Sequence, residues 1–300
     1  MKYCKTAAFS ASIVIMLLAF TSIASASSYS SIVVYGDSLS DNGNLYSVSG
    51  YPPSPYYNGR FSNGPVAVEQ LAALLGSPLY DFAWGGATSG VGNYIDLGSQ
   101  TSFGGLGLPG MIPEMIGSSS VVSSLNLSTS LFVVWGGAND FLVGGSTTQA
   151  VADINLIVST LQSEGAMHIL VPNMPDLGLT PDFYGDATAT AYAAQFNAML
   201  KASLPTGVTY VDTFGLMHQI ESNPAAYGIT DLTDPCFTGT SVCSDPSQYL
   251  FWDGFHPTTS TDAILAADFE AAATPEPSSI LLLSTGIAGL AGMLRRRRAA

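Results

Sequence analysis

Positive charge is scarce in this chain. Of its 300 residues 8 are Lys or Arg, against 22 Asp or Glu, for a formal net charge of −14. Six of the eight bases stand at the ends: Lys2 and Lys5, then Arg295 to Arg298. Among the acids only Glu276 does so, which leaves residues 27–274 with 21 acids against Arg60 and Lys201, a formal charge of −19. A surface of that sign repels nucleic acid and anionic membranes, so neutral or zwitterionic partners are expected. Charge of either sign is also sparse, at 10% of residues against 47% hydrophobic. Such a chain buries a substantial core, and its bulk is not a disordered segment.

Cysteine and histidine are scarce too, with three of each. There is no C-x-x-C spacing and no Cys/His cluster, so no zinc site is expected. The G-x-S-x-G nucleophile elbow is absent. "GLGLPG" (105–110) fits G-x-G-x-x-G, but no convincing strand precedes it and Pro109 interrupts it, so it does not read as a dinucleotide site. "DSLSDNGN" resembles a calcium loop only superficially: Leu39 stands where a ligand oxygen is needed, and Asn42 where the turn glycine belongs.

The two ends read as targeting segments. Residues 1–26 have a basic start, an apolar stretch "IVIMLLAF" and Ala24-Ser25-Ala26, the form of a secretory signal peptide; an uncleaved anchor is the alternative. Cys4 leaves with that leader. Cys236 and Cys243 remain, close together in a turn-rich segment of an exported chain, where a disulfide can persist; two idle thiols are the other possibility. At the far end, a Pro-rich break precedes an apolar stretch from Ile280 to Leu294 and four arginines. That stretch is a marginal transmembrane span with a basic cytoplasmic end. Pro275-Glu276-Pro277, the hydrophobic stretch and the arginines together resemble the PEP-CTERM sorting tail. The resemblance implies an exosortase-type partner that removes the tail. The protein would then be anchored transiently in the inner membrane before reaching the cell surface or extracellular matrix. A plain membrane anchor is the alternative.

Between the ends the periodicities alternate. Apolar runs at 31–35, 131–135, 167–171 and 208–211 predict buried strands, and 65–75, 148–163, 186–203 and 260–272 predict helices. Val151, Ile154, Ile157, Val158 and Leu161 form one helical face. The alternation predicts an α/β domain with a mostly parallel sheet covered on both sides. Residues 85–130, rich in Gly and Ser, read as loops around short helices. In open sheets of this kind chemistry gathers beyond the carboxyl ends of strands, where Ser38 and Asn139 both fall.

A serine hydroxyl attacks only when an imidazole takes its proton, and the imidazole needs an acid to fix its tautomer. His168 in "AMHILV" and His218 in "GLMHQI" read as structural residues. His256 differs because Asp253 precedes it by three positions, a spacing that aims the carboxylate at one ring nitrogen and leaves the other for a serine. "YGDSLSDNGN" with Ser38, "FAWGGATSG" with Gly86, "WGGAND" with Asn139 and "DGFHPT" with Asp253 and His256 resemble, in order, the blocks of the GDSL or SGNH serine hydrolases. "GRFSNGPVAVEQLAALLG" and "LVPNMPDLGLTP" look like connecting segments of the lipase/acylhydrolase branch.

That resemblance implies a three-layer, flavodoxin-like α/β fold over residues 27–273, between the leader (1–26) and the sorting segment (274–300). It also implies Ser38 as nucleophile, His256 as general base and then acid, and Asp253 as the orienting carboxylate. The amides of Ser38 and Gly86 and the Asn139 side chain would form the oxyanion hole. No metal or organic cofactor is implied. Asp37, Asp41, Asn42 and Gly43 read as residues that hold the turn. The expected function is an exported esterase or lipase, acting on lipid esters or O-acetylated polysaccharide by an acyl-enzyme route, with water or an alcohol as acceptor. A non-catalytic glycan-binding matrix or surface protein that retains the fold is the alternative.

Overall fold

The computed structural model describes residues 29–274; the predicted leader and all of the predicted tail after Thr274 lie outside the described residues. Strands β1 (Ile32–Gly36), β2 (Leu79–Asp81), β3 (Leu131–Trp135), β4 (His168–Pro172) and β5 (Val208–Val211) form one sheet in the order β2-β1-β3-β4-β5. Every pairing in it is parallel. This is the flavodoxin-like order, and its topological switch point lies between β1 and β3. Gly36 pairs with Trp135 at the carboxyl ends of those two strands, so the turns that follow them leave the sheet side by side.

The β-branched run that makes β1 is buried on both faces, as parallel strands are when helices cover them. Its side chains alternate between two cores. Ile32 and Val34 join Leu131, Val133 and Trp135 on one face, where helices α2 (Ala67–Leu75) and α8 (Thr259–Ala273) supply Val68, Leu71, Leu265 and Phe269. Val33 and Tyr35 join Phe132 and Val134 on the other, covered by α5 (Thr147–Glu164) and α6 (Ala187–Ser203) through Ile154, Ile157, Leu161, Phe196 and Leu200. The result is three layers. Phe269 meets the Trp135 ring edge-on at 5.2 Å, and truncating so buried an aromatic costs about 3–5 kcal/mol.

The four predicted strands and four predicted helices are present within one or two residues of their expected ends. Other elements have no periodic signature. β2 is three half-buried residues. Helix α1 (Asn44–Ser49) has a single buried residue, and α4 (Ala138–Leu142) is barely a turn long. Helix α3 (Met111–Val122) contains Pro113, Gly117 and three serines, yet it is held by buried Met111, Glu114 and Val122. Helix α7 (Thr213–Ser222) turns Leu216, Met217 and Ile220 into the first core. Strands β6 (Asp231–Pro235) and β7 (Tyr249–Phe251) pair outside the main sheet, in a segment whose Asp and Pro content reads as turn. Among the described residues no helix is long and apolar enough to cross a membrane; the predicted span at 280–294 lies outside them.

Candidate active site

β1 ends at Gly36 and the chain turns at once. Asp37 fastens the turn, its carboxylate accepting from Leu39 N at 3.0 Å and its carbonyl from Ser40 N and Asp41 N. Asp41 fastens it further. One of its oxygens accepts from Gly43 N at 2.8 Å and Asn44 N at 2.6 Å, and the other from Gly85 N at 2.7 Å. The turn that carries Ser38 is thereby joined to the strap that carries Gly86. Asn93 holds the same strap from its far side, donating to Gly85 O at 2.9 Å.

Ser38 donates its hydroxyl to His256 Nε2 at 2.8 Å. His256 Nδ1 lies 2.9 Å from Asp253 Oδ2 and 3.0 Å from Oδ1. The carboxylate claims Nδ1–H, which leaves the Nε2 lone pair to face the serine. Asp253 also accepts from Phe255 N, from His256 N and from the Tyr56 hydroxyl, the last at 2.7 Å. Burial works to raise the pKa of Asp253, but the charge and hydrogen bond of His256 and the Tyr56 bond outweigh it and hold the group below its ordinary value. It is therefore an anion at neutral pH, and an anion beside imidazole stabilises the imidazolium that proton transfer would create.

The same cleft, a space of about 500 Å³, is lined by Ser38, Gly86, Asn139 and His256 and walled by aromatic rings. Gly86 has φ of +82°, and a Cβ there would stand 2.4 Å from Asn93 Oδ1, so both backbone and space require glycine. Among the described residues neither Ser38 N–H nor Gly86 N–H has an acceptor within the protein. Asn139 gives one amide hydrogen to Ala87 O at 3.0 Å, which leaves its second directed elsewhere.

All five predicted site residues thus stand around one cleft. Asp140, a conceivable substitute for Asp253, is committed elsewhere: it accepts from Ser89 N, Ser89 Oγ and Gln100 Nε2 at 2.7–2.9 Å. Burial lifts its pKa to about 6 against those bonds. His168 opens β4, at the opposite end of the sheet, and packs edge-on against Tyr29. His218 lies between Asp176 and Glu221. Cys236 and Cys243 are joined by a disulfide. The bridge sits beside Phe237, which lines the cleft and stacks on Trp252. Among the described residues, no three His, Cys, Asp or Glu side chains converge as a metal site requires.

Sequence reasoning missed Tyr56, whose hydroxyl reaches Asp253 across 197 positions from a loop without periodic pattern. It also missed Asn93, the brace of the Gly85–Gly86 strap, and Asp182, an exposed carboxylate on the cleft wall. Only the folded chain brings these together.

Residues 32–269 match the sequence model of a family described as GDSL-like lipase/acylhydrolase. The chain belongs to this family. It is, by family, a carboxylic ester hydrolase. Residues 273–298 match the PEP-CTERM protein-sorting motif, which indicates export with a membrane-anchored sorting step. Among curated relatives, the thermolabile hemolysin of Vibrio parahaemolyticus is 27% identical over 266 residues, covering 78% of this chain and 62% of the hemolysin. The phosphatidylcholine-sterol acyltransferase of Aeromonas hydrophila is 31% identical over 245 residues, covering 71% of this chain and 67% of its own length. Among solved structures, a catalytic mutant of an acetylxylan esterase from Geobacillus stearothermophilus shares the fold, with a TM-score of 0.50 at 14% identity over 81% of this chain and 93% of that one.

Proposed function

We propose that Ser38, His256 and Asp253 are the catalytic triad of an exported GDSL-family hydrolase that cleaves neutral or zwitterionic carboxylic esters. The observation that carries this reading is the unbroken line Ser38 Oγ, His256 Nε2, His256 Nδ1, Asp253, with contacts of 2.8 and 2.9 Å, at the floor of a cleft. As Ser38 Oγ attacks the ester carbonyl, its proton passes to His256 Nε2. The carbonyl oxygen, now an anion, is received by Ser38 N–H, Gly86 N–H and the second amide hydrogen of Asn139. His256 returns the proton to the departing alkoxide, so an alcohol leaves and the acyl group stays on Ser38. Water then attacks with His256 as base, releasing the acid and restoring the serine. One oxyanion donor of this sort contributes about 2.7–4 kcal/mol to the transition state.

The cleft wall supports the substrate class. Tyr51, Tyr56, Phe61, Tyr94, Phe237 and Phe255 line it, and the lining holds no Lys or Arg. An anionic ester would find no counter-charge there and would meet Asp182. Lipid esters fit that wall better than an acetylated polysaccharide, whose hydroxyls seek polar partners. Transfer of the acyl group to an alcohol is a second reading, favoured by the named activity of the Aeromonas relative. Hydrolysis should be measured on p-nitrophenyl esters from acetate to palmitate, on phosphatidylcholine and on acetylated xylan, with and without a sterol acceptor. Lipid esters should be preferred, and Ser38→Ala should abolish turnover. Faster release of acetate from xylan than of any fatty acid would overturn the lipid reading. No turnover at all, with no labelling by a fluorophosphonate, would favour the glycan-binding alternative.

The tail and leader extend the proposal to location. An exosortase-type enzyme removes the tail after transient anchoring in the inner membrane, and the hydrolase goes on to the cell surface or matrix. Protein collected outside the cell should then lack Arg295 to Arg298 by mass spectrometry; finding that peptide intact would contradict the release step.

A further inference from the structure

The acids of this chain avoid one side of the cleft. Residues 42–59 contain no charged side chain, and residues 82–113 contain only Asp96. Asp96 is buried, its carboxylate accepting from Leu106 N at 3.1 Å and Leu108 N at 2.9 Å. Both segments reach the cleft, the first through Tyr51 and the second through Tyr94 and Ile95. Tyr51 and Tyr94 line the same cleft, so the two loops both border it. Here too the large apolar side chains are exposed. Nine of the sixteen exposed large hydrophobic residues fall in residues 46–57 and 94–106, far beyond the share those segments have of the described chain.

Leu97 is the extreme case. It is 90% exposed, and it holds φ of +67°, a conformation costly for a residue with a branched side chain. Leu106, 79% exposed, is fastened by its own N–H to the carboxylate of Asp96, the residue before Leu97. One buried acid thus displays two leucines to solvent. Packing does not explain them, for neither side chain is covered. Exposed apolar groups in two loops without exposed charge that also carry exposed tyrosines are suited to the boundary of a lipid layer, where the rings take the polar headgroup level.

We propose that the loops carrying Tyr51 and Tyr94 to Leu106 are a docking surface for neutral or zwitterionic lipid, which sets the cleft mouth against the layer from which the ester is drawn. The charge pattern selects this occupant. A formal charge of −19 over residues 27–274 repels an anionic layer, while the charge-free rim carries no acid into a zwitterionic one. Continuity with the cleft gives the contact its use, since Tyr51, Tyr94 and Ile95 belong to both. The inference rests on the lipid-ester reading of the site.

The test reads depth at single positions in the full chain, so that anchoring by the terminal segments does not imitate docking. In a Ser38→Ala background, which spares the vesicles, Leu97→Trp is compared with Leu156→Trp. Leu156 is a leucine outside the two loops, on α5, and is 51% exposed. Each is mixed with phosphatidylcholine vesicles whose acyl chains carry bromine, and quenching is measured relative to the parent. The indole from Leu97→Trp should be quenched at least about twofold and that from Leu156→Trp little. A vesicle-bound chain that shows equal quenching at both, or none at position 97, would overturn the proposal. So would a stable dimer whose indole at position 97 is shielded without vesicles and unquenched with them. A second readout uses the active chain: Leu97→Ser with Leu106→Ser should lower the ratio of vesicle-ester to soluble-ester turnover at least about fivefold, and an unchanged ratio would contradict docking. Because quenching needs no turnover, the two readings fail separately. Soluble-ester hydrolysis without quenching removes the docking surface alone, and quenching without lipid hydrolysis removes the substrate reading alone.

Discussion

Two histidines in this chain pair with a carboxylate at almost the same distance, and their surroundings differ. His256 meets Asp253 at 2.9 Å, and His218 meets Asp176 at 3.0 Å. The second nitrogen separates them. That of His256 accepts from the Ser38 hydroxyl, whereas that of His218 lies 3.0 Å from a second carboxyl side chain, Glu221, with no hydroxyl nucleophile opposite it. Their settings differ as well: the His218 side chain is 41% exposed and that of His256 13%. An Asp/His pair is therefore only half of a proton relay. The function follows from what faces the far nitrogen and from whether donors stand ready for the charge that develops.

The largest expected effects break that contrast outright. Ser38→Ala or His256→Ala should lower kcat by about 10⁴-fold or more, because triad members act as one unit. His218→Ala should leave kcat within about twofold, a surface-scale effect. Steady-state kinetics on a soluble ester checks all three, and a His218 loss comparable to that of His256 would erase the distinction. Asp253→Asn comes next, with a fall of about 10³- to 10⁴-fold, since an amide cannot fix the same tautomer. Substantial retained activity would mean that another acid orients the ring; Asp140, bound to Ser89 and Gln100, is not placed to do so.

Asn139→Ala should reduce kcat by about 10²- to 10³-fold with little change in KM, because its second amide hydrogen matters once the carbonyl becomes tetrahedral. An unchanged kcat with a lowered Tm would instead make it a brace for Ala87. Tyr56→Phe removes one of the donors to Asp253 and should cost several-fold in kcat, with the fold intact by circular dichroism.

The smallest expected effect is on stability and comes from Asp37, the residue before Ser38. Burial lifts the Asp37 pKa from 3.8 to about 7, with the Leu39 N–H and the charge of His256 opposing. Between those values the folded chain holds a proton that the unfolded chain has lost. This group's contribution to stability therefore declines as pH rises from about 4 to about 7 and is level above. Asp37→Asn should flatten the fall in Tm between pH 5 and pH 8 by several degrees, at roughly 2–4 °C per kcal/mol for a domain of this size. An identical slope in the variant would show that other acids set it.

How much of this was legible in the chain divides along physical lines. Strands β1, β3, β4 and β5 are continuous apolar runs, and α2, α5, α6 and α8 are long enough for a 3.6-residue period to show. β2 and β7 are too short for a period, and α3 carries Pro113, Gly117 and serines that belong by propensity to loops. The same division holds at the cleft. Ser38, Gly86, Asn139, Asp253 and His256 lie in compact blocks with local chemical sense. Tyr56, Asn93, Asp182 and the displayed leucines at 97 and 106 have none, because their roles depend on contacts made across the fold or on exposure. The pairing of Cys236 with Cys243 was half legible: proximity suggested it, and the folded loop beside Phe237 shows it.

The central claim is that Ser38 becomes acylated, and the most direct measurement is the mass of the enzyme after reaction with a fluorophosphonate or a slow ester, mapped by peptide sequencing. One adduct per chain is expected, on Ser38. It should be absent from Ser38→Ala, greatly slowed in His256→Ala, and formed at the normal rate in His218→Ala. An adduct on another residue, or ester turnover that persists in Ser38→Ala, would contradict it.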